Sequence, residues 1–451
     1  MSKSAHMVGD GIGRGGTIPF ADAFKAWLKV AALSFGGPAG QIAVIHRIFV
    51  DEKKWVGEGR FLRALNYCML LPGPEAQQLA TYLGWTLHGI RGGLTAGLLF
   101  VLPGFLSILA LSILYVAFRE VPFVSGVFFG VKAVVLAIVI DAVRRIGARA
   151  LKTRAAWSIA AAAFIGIFFL DVRFPVIVIG AGLLGYALAA VRPDLLGVRE
   201  AVEEDVSLEP QTDRSWLRAL KVAGVCIALW FAPIIAAVLI TGNDSVFTQL
   251  GLFFSKMAVV TFGGAYAVLS YVAQEAVQNF GWLRPGEMID GLGMAETTPG
   301  PLVQVVQFVG FLAAYRDNAG MDPWIAAVLA SVLVTWVTFA PSFLWIFLGA
   351  PYVEKLQSNA RLSAALSAIT AAVVGVILNL AVWFGLNVMF AAVAEVHAYG
   401  LRLYVPALPT LDFAAAGLAI AAAVVLLGSR VGMLPVLAAG AVIGAVYKTV
   451  F

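Results

Sequence analysis

Charged residues are scarce in this chain: they make up 13% of its 451 residues, whereas 61% are hydrophobic. A soluble domain carries about 25% charged residues, so the composition excludes a water-soluble fold. A helix needs about 20 apolar residues to cross a bilayer, and the chain has many such runs between short polar connectors. These runs do not alternate in polarity, which excludes a transmembrane barrel. We therefore predict an all-α polytopic membrane protein.

Cysteine and histidine are equally rare, with two and four residues respectively. Cys68 and Cys226 lie in separate apolar segments and the histidines are scattered, so we expect no disulfide framework and no metal site. No Walker sequence, nucleophile elbow or His-Glu-x-x-His motif is present, which argues against ATP use and familiar hydrolysis. We expect no enzyme activity, no catalytic residues and no cofactor.

The net charge of +5 would suggest nucleic acid as a partner of a soluble protein. Here most Lys and Arg residues fall in connectors beside apolar runs, where they report membrane topology instead. We expect the lipid bilayer, and no nucleic acid, as the surrounding partner.

Two copies of one unit make up most of the sequence. Ser34-Phe35-Gly36-Gly37 recurs as Thr261-Phe262-Gly263-Gly264, and the same shift of 227 residues aligns Lys29 with Lys256, Trp55 with Trp282, and Pro72-Gly73-Pro74 with Pro299-Gly300-Pro301. After a longer connector in the second copy the shift becomes 238, which pairs Pro103 with Pro341 and Asp141 with Asn379. Because many transporters consist of two related halves, this duplication favours a carrier.

The duplication divides the chain into five parts. They are a cytoplasmic tail (1–17), a first repeat (18–191), a polar cytoplasmic linker (192–218), a connecting transmembrane helix (219–244) and a second repeat (245–451). Five apolar spans separate the two Phe-Gly-Gly motifs, near 93–117, 121–142, 155–170, 174–191 and 219–240. An odd number of crossings brings the second copy into the membrane from the opposite side, which predicts an inverted repeat.

The segments near 20–48 and 61–90, which carry the glycine and proline motifs, either cross the membrane fully or fold back as re-entrant hairpins. Full crossing with a cytoplasmic amino terminus places the basic loop between them outside. Hairpins place that loop inside, as the positive-inside tendency favours. We therefore predict hairpins.

The Phe-Gly-Gly and Pro-Gly-Pro motifs interrupt apolar runs and leave backbone groups unpaired at membrane depth. Such breaks are tolerated where the freed groups line a cavity, and a broken helix then offers amide donors and a positive dipole end to an anion. The alternative is that they are kinks or close helix contacts. The predicted substrate-binding residues are the two motifs of each repeat with Ser34, Thr261, Thr297, Thr298 and Gln78, although these hydroxyl and amide groups could instead bond backbone carbonyls.

Four charged residues accompany the breaks. Lys29 and Lys256 lie inside apolar sequence, where two cations would match a dianion, unless they extend to the interface. Glu75 and Glu296 flank the Pro-Gly-Pro turns, where a carboxylate that takes up a proton could couple proton movement to transport. The alternative is a static ion pair between a glutamate and one of the lysines.

Taken together, these motifs resemble the chromate ion transporter family in its long, two-domain form. The resemblance rests on SFGGPAGQ and LPGPEAQQ in the first copy and on TFGGAYAV and AETTPGPLVQ in the second. It maps onto Phe35 to Pro38, onto Pro72 to Glu75, and onto Glu296 to Pro301. Relatives often have His after Phe-Gly-Gly-Pro, where this chain has Gly40 and Gln41, so no histidine proton relay is expected there.

The resemblance implies a secondary transporter in the bacterial inner membrane that exports chromate and confers chromate resistance, driven by the membrane potential or an ion gradient. Sulfate or another tetrahedral oxyanion is the alternative substrate, because chromate and sulfate share shape and charge. A membrane-embedded transferase is the alternative of another class, and a structural subunit is a third. A homo-oligomer is left open.

Overall fold

The computed structural model describes residues 18–191, 216–262, 264–350, 359–429 and 431–450. Within these ranges the chain forms sixteen α-helices and one two-stranded antiparallel β-ribbon. Seven of the helices are long and apolar enough to cross a membrane. The prediction of a multi-pass helical membrane protein is confirmed.

The first repeat contains seven helices, followed by the connecting helix α8. They are α1 (Phe20–Leu33), α2 (Gly37–His46), α3 (Glu58–Leu70), α4 (Glu75–Phe118), α5 (Pro122–Ala150), α6 (Arg154–Phe168), α7 (Phe174–Val191) and α8 (Trp216–Thr241). The predicted tail, 1–17, and most of the predicted linker lie outside the described residues.

The second repeat contains eight helices and the β-ribbon. They are α9 (Val246–Val260), α10 (Ala265–Gln274), α11 (Pro285–Thr297), α12 (Val305–Arg316), α13 (Pro323–Gly349), α14 (Ala360–Met389), β1 (Val393–Ala398), β2 (Leu401–Pro406), α15 (Phe413–Gly428) and α16 (Met433–Val450).

The helices of the two repeats correspond in order, with α4 of the first repeat matching α12 and α13 of the second. At a shift of 227 residues α1, α2 and α3 match α9, α10 and α11, and at 238 residues α5 matches α14. The helices α6 and α7 match α15 and α16 at a shift of 259, with Phe174 opposite Met433 and Val191 opposite Val450. The β-ribbon between α14 and α15 accounts for this last change. The two homologous halves are thus confirmed, and they extend to the end of each repeat.

The motif segments fold back as hairpins. Arg316, at the end of α12, donates hydrogen bonds to Glu287 and to the carbonyl of Trp282, which are at and before the start of α11. Therefore α11 and α12 enter and leave at the same face. In the first repeat α4 loses helical geometry at His88 and Gly89, so that its first part is the return arm of a hairpin and only residues 90–118 cross.

The two sets of hairpins enter from opposite faces. The crossing part of α4 is about 43 Å long at 1.5 Å per residue. At its beginning, the ring of Phe20 from the start of α1 lies 5.4 Å from that of His88. At its end, Arg119 donates a hydrogen bond to Glu287 of α11. The repeats are therefore inverted, and we call the two ends of the bundle the linker face, where α7 ends and α8 begins, and the ribbon face, where the β-ribbon lies.

Small residues let helices of the two repeats pack closely against each other. Gly126 and Gly130 of α5 lie against the backbone of Gly440 and Gly444 in α16. The counterpart contact joins Gly185 of α7 to α14. Such small-xxx-small spacing is typical of helices that pack through close backbone approach in membranes.

Candidate functional site

The four helix breaks meet at the centre of the molecule. The Gly300 N–H donates a 2.8 Å hydrogen bond to the Ser34 carbonyl, and the Gly73 N–H donates a 2.8 Å hydrogen bond to the Thr261 carbonyl. These are the same bond made twice, because Ser34 corresponds to Thr261 and Gly73 to Gly300. Each Phe-Gly-Gly break is thus held by the Pro-Gly-Pro turn of the other repeat.

Glycine is required in both Pro-Gly-Pro turns. Gly73 and Gly300 have φ angles of +123° and +102°, which side-chain-bearing residues rarely adopt. A Cβ on Gly300 would lie 2.9 Å from the Cα of Gly104 in α4, and a Cβ on Gly73 would lie 3.2 Å from Oγ of Ser342 in α13. Gly104 and Ser342 are themselves counterparts, so each turn packs against the proline-containing crossing helix of the opposite repeat.

The polar side chains at the breaks bond backbone carbonyls. Ser34 donates to the Val30 carbonyl at 2.6 Å, and Thr261 donates to the Met257 carbonyl at the same distance. The other bonds of this kind run from Gln78 to Pro72, from Thr297 to Gly293 and Met294, and from Thr298 to Ala295. These groups satisfy carbonyls that the interrupted helices leave free.

A cavity of about 330 Å³ lies between the repeats, beside the two Phe-Gly-Gly breaks. The first turns of α2 and α10 form part of its wall, together with Glu75, Arg145 and Arg149. Because the first amide groups of a helix have no partner within the helix and carry the positive end of its dipole, the wall supplies N–H donors from two helices. A smaller space of about 20 Å³ continues from Glu75 to the two Pro-Gly-Pro turns.

Two arginines of α5 give this cavity positive charge. Arg145 forms a 2.7 Å ion pair with Asp141, while Arg149 has no hydrogen bond or ion pair with any residue that the structure describes. Their counterparts in α14 are Trp383 and Asn387, so the second repeat lacks these charges. Sequence reasoning did not select the arginines, because they stand at a helix end where basic residues are common. The sequence feature that comes nearest to indicating them is the pair Asp141 and Asn379, equivalent positions of which only the first is charged.

Of the two predicted coupling glutamates, Glu75 lines the cavity, and Glu296 contacts Tyr266, which lines it. Glu296 is 2% exposed; its Oε1 accepts a 2.5 Å hydrogen bond from Tyr266, and its Oε2 has no partner among the described residues. Glu75 begins α4 and borders both the cavity and the smaller space. Within the part of the chain that the structure describes, neither glutamate pairs with a lysine.

The structure places the two lysines away from the cavity. Lys29 donates to Glu52 at 2.7 Å, with 48% of its side chain exposed, and this hydrogen bond lowers the pKa of the Glu52 carboxyl below its ordinary value. Lys256 is exposed on α9. Phe262 lines the cavity, whereas the predicted Gly263 lies outside the described residues.

Comparison with known proteins extends over both repeats. The profile of the chromate transporter family matches residues 21–186 and 248–445. A chromate transport protein of Pseudomonas aeruginosa is 35% identical in an alignment of 364 positions that covers 78% of each chain. A probable chromate transport protein of Synechococcus elongatus is 29% identical over 80% of this chain and 83% of its own, and a chromate transport protein of Cupriavidus metallidurans is 28% identical over 78% and 79%.

No solved structure gives a significant match to the chain. The family profile covers most of the sequence, and its two matched regions are the two inverted repeats that surround the cavity. The chain therefore belongs to the chromate transporter family, whose curated relatives are named as transport proteins rather than enzymes.

Proposed function

We propose that this protein is a secondary transporter that exports chromate across the bacterial inner membrane and thereby confers chromate resistance. The observation that carries the proposal is the cavity at the repeat interface, where the amino-terminal turns of α2 and α10 and the two arginines of α5 surround one space. The names of the relatives support chromate as the substrate.

The chemistry of the wall suits a tetrahedral dianion. Oxygen atoms of the anion accept hydrogen bonds from the free amides of α2 and α10, as phosphate and sulfate do at helix amino termini. Arg145 and Arg149 add charge-assisted hydrogen bonds at the other side of the cavity. The proposed site therefore uses these arginines rather than Lys29 and Lys256, while the polar residues of the breaks hold the backbone in position.

The location of the arginines supports loading from the cytoplasm. Arg145 and Arg149 are exposed near the end of α5, at the linker face, and further basic residues, Lys152 and Arg154, follow at the start of α6. Cytoplasmic ends of membrane helices are rich in Lys and Arg, so this face is the cytoplasmic one and the amino terminus lies there. The structure then represents the inward-facing state of the carrier.

Inverted repeats suit alternating access, in which the same site opens first to one face and then to the other. Glu75 and Glu296 are the proposed proton-coupling groups, because a carboxylate beside the anion repels it when ionised and not when protonated. Glu75→Gln should then keep chromate binding and remove its dependence on pH. Unchanged pH dependence in this variant would exclude Glu75 from coupling.

The decisive experiment measures uptake of labelled chromate and sulfate by inside-out and right-side-out vesicles, with and without a proton gradient. We expect inside-out vesicles to accumulate chromate, and the gradient to change the rate. Accumulation of sulfate without chromate would favour the alternative oxyanion carrier, and accumulation of neither would exclude both.

A labelling experiment tests the inverted arrangement of the repeats. Asp51→Cys and Gln278→Cys, which stand at equivalent positions of the two repeats, should react with an impermeant reagent from opposite sides of the membrane.

A further inference from the structure

A second pocket lies at the ribbon face, at the far end of α14 from the cavity. It has a volume of about 10 Å³, and its lining includes Ser270, Gln274, Asn379, Trp383, Arg402 and Tyr404. Along α14 it begins nine residues beyond Thr370, which borders the cavity. At 1.5 Å per residue the two spaces are about 14 Å or more apart.

The pocket is the inverted counterpart of the cavity. The residues of α14 that line it, Asn379, Leu380 and Trp383, correspond to Asp141, Ala142 and Arg145 of α5, and the last two of these line the cavity. The other wall is α10, which corresponds to α2. Equivalent helices thus border a wide space at the linker face, where they are α2 and α5, and a narrow one at the ribbon face, where they are α10 and α14.

The narrowness of the pocket has a visible cause in its surroundings. Inward from it, Val268 and Leu269 of α10 are fully buried, as is Ile377 of α14, so the two helices are packed together there. Outward from it lies the β-ribbon, the element that the first repeat does not have in the corresponding connection. The pocket is therefore bounded by packed helices on its inner side and by the β-ribbon on its outer side.

Arg402 of the ribbon supplies the positive charge that α14 lacks. Its side chain is 3% exposed and lines the pocket. It forms a 2.5 Å ion pair with Asp171, a residue that is 53% exposed, and donates further hydrogen bonds to the carbonyls of Ile167 and Phe168. The carboxylate of Asp171 is thus bound to a guanidinium that lines the pocket. An anion that leaves the centre through this pocket would meet the same guanidinium.

We propose that this pocket is the exit-side oxyanion site of the carrier, where Arg402 exchanges the carboxylate of Asp171 for the departing anion when α10 and α14 separate. The proposal rests on the proposed function, because it assigns the second half of the same transport route. Asp171 accepts a hydrogen bond from one guanidinium nitrogen of Arg402, Nη1, so an oxygen of the anion can take its place and keep that charge-assisted hydrogen bond.

The first test compares the two faces of the protein. In proteoliposomes that export chromate, Asp171→Asn should lower the external sulfate concentration that half-inhibits export by about tenfold, because the competing carboxylate is removed. Arg402→Gln should raise it, with Arg402→Lys between the two, and the KM for internal chromate should stay unchanged. Equal changes at both faces, or none in Asp171→Asn, would overturn the proposal. Asp171 is exposed, so this variant remains decisive even if Arg402→Gln does not fold.

The second test needs no substrate, so it separates failure of this proposal from failure of the proposed function. In a chain with Cys68→Ser and Cys226→Ser, Ser270→Cys should react from the ribbon face with an impermeant maleimide, and faster when combined with Asp171→Asn. Ser331→Cys is the matched control, since Ser331 is fully buried in α13 and does not line the pocket. Labelling of Ser270→Cys no faster than that of Ser331→Cys would overturn the proposal, whether or not chromate is transported.

Discussion

The two repeats share a backbone and differ in charge. Their breaks make the same pair of interlocking hydrogen bonds, and α3 and α11 occupy equivalent places. Yet α11 carries Glu287 and Asp290 where α3 carries Arg60 and Arg63. The acidic pair is buried at the ribbon face, whereas Arg63 is exposed at the linker face. The symmetric backbone thus builds the site, and the unequal charges distinguish its two entrances.

The acidic residues of α11 hold the ribbon face closed. Glu287 accepts hydrogen bonds from Arg119, directly after α4, and from Arg316 of α12. One turn further along, Asp290 pairs with Lys132 of α5 at 3.2 Å and accepts a hydrogen bond from Tyr115. Because these partners lie on three other helices, opening this face requires the ion pairs to separate. Arg60, the counterpart of Glu287 in α3, makes no ion pair with any residue that the structure describes.

The largest effect is expected where the backbone symmetry itself is broken. Gly300→Ala should destabilise the protein by about 2 to 6 kcal/mol, as the sum of backbone strain and overpacking. Gly73→Ala should cost less, because its new Cβ meets the end of the flexible Gln78 side chain and Ser342 Oγ rather than backbone. Thermal unfolding in detergent measures both. Equal losses of stability would contradict this account of the two turns.

A smaller effect is expected from the charges that distinguish α11 from α3. Glu287→Gln should cost about 3 kcal/mol, because breaking one side of a buried ion pair leaves its partners uncompensated. The matched variant Arg60→Gln, at the equivalent position, should change stability little. If the loss is as large in Arg60→Gln, the two faces are closed alike and the comparison fails. Denaturation midpoints of both variants give the result.

Chromate affinity should depend on the charge that α5 has and α14 lacks. Arg149→Gln should weaken chromate binding about tenfold, which corresponds to ~1.4 kcal/mol. Binding of a monovalent tetrahedral anion such as perchlorate should weaken less, because Coulomb attraction scales with ligand charge. Asn387→Ala, at the equivalent place in α14, is the control and should leave both affinities unchanged. Titrations of purified protein would show this, and equal losses for both anions would argue against a direct contact.

The smallest effect is expected from the exposed lysines. Lys29→Gln and Lys256→Gln should leave transport unchanged, since neither side chain lines the cavity. The Lys29–Glu52 pair should nevertheless add a slight pH dependence. Because the pKa of Glu52 in the folded chain lies below its ordinary value of 4.5, the pair stabilises the fold above that pH and loses this contribution as the pH falls. Comparing melting temperatures at pH 4 and 7 tests this. A large loss of transport in either variant would instead support a role of the lysines in substrate binding.

The sequence alone determined the class of fold, the inverted duplication and the location of the helix breaks. These features follow from apolar run length, repeated motifs and the number of crossings, which can be read along the chain without its three-dimensional arrangement. The distance of Lys29 from the cavity did not follow, because Glu52 reaches it only when α2 folds back beside α1. Arg145 and Arg149 join the breaks only because α5 lines the same cavity as the first turn of α2, more than one hundred residues away in sequence. Tertiary packing decided which charges face the cavity, since a side chain's neighbours depend on how the helices are arranged.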